Sequence, residues 1–334
     1  GVGSVKIRKP RVNDRREGHA FESAIVPSYM RRCPQLEELI PLLYLHGIST
    51  NDFPRVLSGI LGEQALGLSP STIVRLKESW EQEHETWRNR SLSGKRYVYF
   101  WVDGIRFNVR LNRDQPCILV IVGALEDGRK EIVALEDGER ESALSWMAVL
   151  RDLKKRGLEE DPLLCIGDGA LGFWKAMSEI LPGARRQRCW VHKTKNVLDK
   201  LPTRAQPNAK RLLLDMYMEA TKEDALKAYE AFGKLYGVKY PKAWKCLQED
   251  KEDLFTFYDF PAEHWIHIRT TNPIESTFAT IRHRTRQTKG CGSRKATLTM
   301  VFKLAEAAQQ RWRRLNGSDQ IPKIISGVVF KDGL

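Results

Sequence analysis

Five apolar runs between residues 97 and 191 constrain the fold of this chain more than any other feature. The first three, Tyr97–Val102, Cys117–Leu125 and Glu131–Leu135, are rich in β-branched and aromatic residues and are separated by short polar turns. This pattern predicts an antiparallel meander. Two more predicted strands, Leu163–Ile166 and Gln187–Val191, each follow a segment of helical periodicity. The order strand-strand-strand-helix-strand-helix-strand predicts an α/β sheet covered by helices.

This order of elements is typical of the ribonuclease-H-like fold, and helical segments flank it on both sides. The expected parts are a basic extended arm (1–27), a helical region (28–93), the first part of the core (94–195), an all-helical insertion (196–267), C-terminal core helices (268–315) and a tail (316–334). The 28–93 region resembles a helix-turn-helix that would lay Thr72, Arg75 and Lys77 in a DNA groove. A plain helical hairpin used for packing or dimerisation explains the same pattern equally well.

The charge balance predicts a polyanionic partner. The net charge is +13 with a pI near 9.5, and the basic residues are clustered. A solvated face normally mixes both signs, whereas these clusters hold almost no acid, so we expect them to bind nucleic acid. The candidate DNA contacts are Arg8, Lys9 and Arg11 in the arm, Arg75 in the helical region, Arg188, Cys189, His192 and Lys193 at and after the last core strand, and Arg282, Arg284, Arg286 and Lys289 near the C-terminus.

Two aspartates follow predicted buried strands and are themselves followed by glycine. Asp103 precedes Gly104, and Asp168 lies between two glycines. A carboxylate in such a position is costly unless it is paired or holds a metal. Each aspartate alone is explained equally well as the start of a turn. Because the first and fourth strands of this core are neighbours, the two together predict a metal site, and the glycines would let a ligand or phosphate approach the backbone closely.

Glu275 is the third candidate carboxylate, and it has a structural rival. In Asn272-Pro273-Ile274-Glu275, Asn272 suits an N-cap, Pro273 the first helical position, and Glu275 a capping-box glutamate. Helical spacing also places Arg282 and Arg286 on the face of Glu275, where one acid would stand among phosphate-binding side chains. Three carboxylates are the ligands that Mg²⁺ or Mn²⁺ prefers, and two ions would serve phosphoryl chemistry without a covalent protein intermediate.

Four segments then occur in a characteristic order along the chain. They are Trp101–Ile105, Gly167–Gly169, Gln187–His192 with Asn196, and Arg269–Ser276. Together they resemble the Mutator-like bacterial insertion-sequence transposases, the insertion-sequence-256 group, and the likeness extends from about residue 25 to 315. The order of several separate motifs makes this resemblance specific.

The resemblance implies a transposase with a DDE catalytic triad, whose roles fall on Asp103, Asp168 and Glu275. It also implies a ribonuclease-H-like core interrupted by a helical insertion before the glutamate. The implied partners are terminal-inverted-repeat DNA and target DNA, joined by 3′-hydroxyl strand transfer, with a homodimer acting on paired ends. Family members usually carry a further N-terminal segment, so part of the end-recognition apparatus is expected to be missing from a chain that begins at Gly1.

Cys189 and His192 form half of a zinc-like motif. His264 and His267 would be needed to complete a four-ligand set, and without a supporting pattern around them we expect no zinc. His192 is expected to lie beside the site and contact the scissile phosphate or a flanking base, with Cys189 in the core, although packing of both also explains the motif. Trp244 and Trp265 are expected to be packing anchors rather than base-stacking platforms.

Further expectations come from composition. The six cysteines are irregularly spaced and several stand in apolar runs, which favours reduced core thiols and a cytoplasmic, nucleoid-associated protein. A long uncharged apolar stretch is absent from the sequence, so we expect no membrane partner. A metal-dependent nuclease or resolvase on the same core, and a non-catalytic DNA-binding regulator, remain the alternative functions.

Overall fold

A mixed five-stranded sheet lies at the centre of the protein. It is described by a computed structural model that covers residues 70–106, 117–138, 141–169, 171–287 and 294–334. The strand order is β3-β2-β1-β4-β5, with β1–β2 and β2–β3 antiparallel and β1–β4 and β4–β5 parallel. The predicted order of strands and helices along the chain, and the neighbouring positions of the first and fourth strands, are therefore confirmed. The strands are β1 (Tyr97–Arg106), β2 (Cys117–Leu125), β3 (Lys130–Gly138), β4 (Leu164–Gly167) and β5 (Arg185–Arg188).

Helices cover both faces of this sheet, and every element between β5 and residue 287 is helical. The helices are α1 (Pro70–Arg88), α2 (Ala143–Lys155), α3 (Leu171–Ile180), α4 (Trp190–Leu198), α5 (Gln206–Met218), α6 (Lys222–Tyr236), α7 (Pro241–Gln248), α8 (Lys251–Leu254), α9 (Trp265–Ile268), α10 (Asn272–Gln287), α11 (Arg294–Gln309) and α12 (Ile321–Ile325). Short 3₁₀ segments occur at Thr203–Ala205, Thr256–Asp259, Ala262–His264 and Ser318–Gln320. Over the described ranges, the length and polarity of the helices leave none suited to spanning a bilayer.

The core has two parts, one on each face of the sheet. On one face, Phe100 and Val102 pack with the apolar residues of α2 and α3. On the other face, Trp101 packs with residues of α1, α10, α11 and the helical segment that follows β5. Strands buried on both sides read as continuous apolar runs, which is why their pattern was visible in the sequence. A register shift in β1 near Tyr97 changes which side chains face each layer.

Several predicted boundaries were wrong. The predicted strand at Gln187–Val191 ends at Arg188, and a helix begins at Trp190. The backbone N–H of Trp190 donates to the carbonyl of Arg269 at 3.0 Å, a contact between segments far apart in sequence.

Residues 316–334 are packed against the rest of the protein. Ile321 is fully buried, and the N–H of Gly333 donates to the carbonyl of Tyr258 at 3.2 Å. Trp265 donates to the carbonyl of Phe260 at 2.8 Å, and Trp244 packs against Tyr229, as expected for packing anchors. The predicted arm (1–27) and residues 28–69 of the predicted helical region lie outside the described residues.

Candidate functional site

Asp103 and Asp168 are brought together by the parallel pairing of β1 with β4. In this pairing Tyr99 lies opposite Leu164 and Trp101 opposite Ile166, an offset of 65 residues that Asp103 and Asp168 share. Neighbouring strands run about 5 Å apart, so the two aspartates leave the paired region side by side. Asp168 follows the last residue of β4 as predicted, whereas Asp103 lies inside β1, which continues along β2 to Arg106. Asp103 is 6% exposed.

The glycines that follow these aspartates, Gly104 and Gly169, have other side chains packed closely against them. Gly169 has φ +87°, a conformation that glycine adopts readily, and the guanidinium of Arg188 lies directly against it. A Cβ at Gly104 would lie 2.6 Å from the carboxyl carbon of Glu141. Side chains of this protein therefore occupy the space that the sequence suggested for a ligand or phosphate.

Glu275 is held by side-chain contacts at the start of α10. The hydroxyl of Thr271 donates to its Oε1 at 2.9 Å, and Oε1 lies 3.5 Å from His192 Nδ1. The helix begins at Asn272, and the backbone N–H groups of Ile274 and Glu275 both donate to the carbonyl of Thr271. The capping box predicted with Asn272 as N-cap is therefore wrong, and Glu275 has a position one residue further into the helix. Its side chain remains about one-third exposed.

Cys189 ties this helix start to the end of β4. Its backbone N–H donates to the carbonyl of Gly167 at 2.8 Å, and its sulfur accepts the backbone N–H of Thr271 at 3.3 Å. Trp101 adds a second tie, because its indole N–H donates to the carbonyl of His267 at 2.8 Å. These contacts place the segment that carries Glu275 at the same edge of the sheet as Asp168.

His192 lies beside Glu275 and within electrostatic reach of Asp168. Its hydrogen bond with Cys189 raises the pKa of His192 to about 9 against the opposing effect of burial, and the charges of Glu275 and Asp168 add to the increase. Burial would raise the pKa of the Cys189 thiol, but hydrogen bonds from His192 and Thr271 bring that pKa below its ordinary value. The direction of the His192 shift favours the protonated imidazole beside Glu275.

The same residues include a group with metal-ligand character. One ligand atom each of Cys189, His192 and Glu275 lies within 4.8 Å of the others. Within the described ranges Asp103 and Asp168 do not join this group, so the three predicted carboxylates do not converge that closely. His264, considered above as a zinc ligand, has both ring nitrogens engaged, Nδ1 with the Tyr99 hydroxyl at 2.7 Å and Nε2 with the Gly317 carbonyl at 2.8 Å.

The placement of Arg188 and Lys193 contradicts their expected role as DNA contacts. Both side chains are almost fully buried, and both form ion pairs with the same oxygen of Asp250. Lys193 also donates to the carbonyl of Cys246 at 2.5 Å. A buried, paired cation does not reach a DNA phosphate, so these two side chains join the helical segment to β5 and α4. Cys189 is likewise fully buried, which excludes it as a DNA contact and agrees with a core position.

Acids far away in sequence also neutralise other parts of the basic clusters. Arg185 pairs with Asp259, and Arg294 makes two contacts of 2.9 Å with Asp137. The described side chains of these clusters are thus partly structural. Of the remaining candidates, Arg8, Lys9, Arg11 and Lys289 lie outside the described residues, and Arg75, Arg282, Arg284 and Arg286 lie on α1 and α10 with side chains outside the described part.

Glu141 is a functional candidate that the sequence did not indicate. Burial raises the pKa of its carboxyl to about 7, and the charges of Asp168 and Asp103 contribute further. Its segment follows β3 and precedes α2, where an Asp or Glu is common for helix-start reasons alone. No local pattern distinguishes it, because its proximity to the aspartates is a tertiary contact.

Comparison with known proteins agrees with the family that the motif order resembles. A family model described as "Transposase, Mutator family" matches residues 1–315. The transposase for insertion sequence element IS6120 of Mycolicibacterium smegmatis is 51% identical over 298 residues, covering 89% of this chain and 92% of that protein. The transposase for insertion sequence element IST2 of Acidithiobacillus ferrooxidans is 47% identical over 285 residues, covering 83% and 94%.

A more distant relative agrees with these two. The transposase for insertion sequence element IS905 of Lactococcus lactis is 29% identical over 286 residues, covering 85% of this chain and 71% of that protein. Two relatives are about half identical to this chain and are covered almost completely by it. The family model also matches most of the chain. The chain belongs to the Mutator family of transposases.

Proposed function

We propose that this transposase acts at the terminal inverted repeats of its insertion sequence by DDE chemistry, with Asp103, Asp168 and Glu275 as the catalytic carboxylates. The observation that carries the proposal is the meeting of three separate segments at one edge of the sheet. The shared register of β1 and β4 aligns the two aspartates, and Cys189 links Gly167 to the helix start that carries Glu275. The strand order β3-β2-β1-β4-β5 supports a ribonuclease-H-like core with a helical insertion after β5.

The donor set fits hard divalent cations. Asp103 supplies a nearly buried carboxylate from β1. Asp168 and Glu275 add carboxylate oxygens, which Mg²⁺ and Mn²⁺ prefer to nitrogen or sulfur ligands. Two such ions would activate the attacking water or 3′-hydroxyl and stabilise the leaving oxygen.

The protein's own residues supply position and charge. The Thr271 hydroxyl orients the Glu275 carboxylate, and the buried ties of Cys189 hold that helix start against β4. The His192 cation, one-third exposed beside Asp168 and Glu275, is suited to contact the scissile phosphate. Target DNA, strand transfer by the 3′-hydroxyl and a homodimer holding paired ends complete the proposed reaction.

Strand transfer distinguishes this function from its rivals. Labelled DNA bearing the terminal repeats of the element that encodes the chain is incubated with the protein and Mn²⁺, and cleaved and joined products are resolved on a gel. We expect both products. Nicking without joining would indicate a nuclease or resolvase, and DNA binding without cleavage a regulator.

Single substitutions test the three carboxylates. Asp103→Asn, Asp168→Asn and Glu275→Gln should each abolish cleavage and joining while sparing DNA binding, as measured by gel shift. Asp127→Asn is the matched control, because that aspartate lies in the β2–β3 turn and pairs with Arg129 at the surface. Full cleavage by Glu275→Gln would limit this residue to the structural contact with Thr271.

A further inference from the structure

A fourth carboxylate lies beside the two strand aspartates. Glu141 occupies the short connection between β3 and α2, immediately before Ser142, the N-cap of that helix. Its carboxyl group rests on the backbone of Gly104, so that a Cβ there would lie 2.6 Å from the carboxyl carbon and 2.9 Å from both oxygens. Gly104 directly follows Asp103 in β1. The absence of a side chain at residue 104 is therefore what allows this carboxylate to reach the strand.

A second glycine fixes the backbone of the same segment. A Cβ at Gly172 would lie 2.9 Å from the carbonyl oxygen of Glu141 and 2.8 Å from the carbonyl carbon of Ser142. Gly172 belongs to the first turn of α3, the helix that follows Asp168. The chain thus passes closely between β1, which carries Asp103, and α3, which begins three residues after Asp168, and this restricts where the Glu141 side chain can lie.

The position of the Glu141 carboxyl group is not explained by capping of α2. The hydroxyl of Ser142 accepts the backbone N–H of Ser145 at 3.1 Å and supplies the side-chain cap of α2. Among the described residues, Glu141 forms no ion pair within 4.0 Å, and Arg106 and His192 act on it only as more distant positive charges. Asp168 and Asp103 are instead its strongest charged neighbours. Among the described residues, the ligand atoms of Glu141, Asp103 and Asp168 do not all lie within 4.8 Å of one another, and a cation between these carboxyl groups would offset their mutual repulsion.

We propose that Glu141 is a fourth carboxylate of the catalytic site and contacts a divalent ion bound beside Asp103 and Asp168. The inference rests on the proposed function, since it assigns a further ligand to the same site. Glu141 approaches from the connection before α2, whereas Glu275 belongs to the start of α10. It would therefore complete the coordination of an ion at the aspartate pair.

Metal affinity tests this proposal directly. Binding of Mn²⁺ to the full chain with terminal-repeat DNA is measured from the electron paramagnetic resonance signal of free Mn²⁺, and cleavage is measured against Mg²⁺ concentration. We expect Glu141→Gln to weaken Mn²⁺ binding by about tenfold and to raise the half-maximal Mg²⁺ concentration similarly, with DNA affinity unchanged. Glu126→Gln, an exposed glutamate in the β2–β3 turn, is the matched control.

Gly104→Ala provides an independent variant that retains Glu141. The added methyl group would displace the carboxyl group, so we expect weaker metal binding, and the double variant with Glu141→Gln should be no worse than the more affected single variant. Thermal unfolding of each variant verifies the fold. Asp103→Asn separates the two proposals. If Asp103→Asn binds Mn²⁺ and cleaves like the wild type, the site itself is misassigned. If only Glu141→Gln and Gly104→Ala match the Glu126→Gln control, the fourth carboxylate is refuted.

Discussion

Replacement of Asp250 by alanine would leave two buried cations without their counter-ion. Its Oδ2 lies 3.0 Å from Arg188 Nε and also pairs with Lys193. The two cationic side chains are 4% and 3% exposed, whereas that of Asp250 is 27% exposed. Removing one partner of a buried ion pair costs about 3–5 kcal/mol. Because solvent already reaches Asp250, we expect the lower end, about 3 kcal/mol of unfolding free energy.

Calorimetry provides the assay. In a chain of 334 residues, the entropy of unfolding is about 0.7 kcal/mol/K, so a loss of about 3 kcal/mol lowers Tm by about 4 °C. Asp259→Ala is the matched control, because Asp259 also faces two cations, Arg185 and Lys222, but at the surface. Exposed pairs contribute less than about 1 kcal/mol, so the control should differ little from the wild type. Lys193→Met in the Asp250→Ala background should recover part of the loss, since it removes one unpaired charge. Equal effects of Asp250→Ala and Asp259→Ala on Tm would refute the reasoning.

Three further predictions concern the core and the site. Burial lowers the pKa of His264, so its stabilising contribution is present above pH 6.5 and is lost as pH falls through the folded-state pKa. When Tm is measured from pH 7.5 to 5, it should therefore fall more steeply for the wild type than for His264→Gln. Parallel Tm curves for the two proteins would contradict this prediction. Gly123→Ala would place a methyl group 2.5 Å from the Tyr97 ring, and urea unfolding should report a loss of about 1–3 kcal/mol, a loss that an unchanged midpoint would disprove. Thr271→Val preserves the side-chain shape but removes the hydroxyl that donates to Glu275, so the activation barrier should rise by roughly 1.4 kcal/mol and cleavage should slow by about tenfold. An unchanged cleavage rate would show that this hydroxyl does not orient Glu275 for the reaction.

Much of the sheet was predictable from local pattern. Strands buried on both faces read as continuous runs of β-branched and aromatic residues, and their order implied the arrangement of β1 and β4. That arrangement was enough to predict that Asp103 and Asp168 would be neighbours. The same pattern gave a wrong prediction at Trp190, because a short apolar run does not distinguish a strand from a helix. The hydrogen bond from Trp190 to the Arg269 carbonyl also cannot be read from the sequence.

The charges were harder to interpret than the strands. A basic cluster without acids nearby in sequence indicated a surface for DNA, yet Asp250 lies 62 residues after Arg188 and pairs with it in the folded chain. Electrostatic energy depends on distance in space and on burial, and sequence separation determines neither.

The sequence by itself therefore determined the order of the strands along the chain, the neighbouring positions of Asp103 and Asp168, and the family. These features follow from local side-chain chemistry and from the order of the motifs. Tertiary structure alone decided the ties from Cys189 to Gly167 and Thr271, the pairing of Glu275 with His192, and the approach of Glu141 to Gly104. The residues in these contacts are between 22 and 83 positions apart in sequence, and such contacts form only when packing brings distant backbone together.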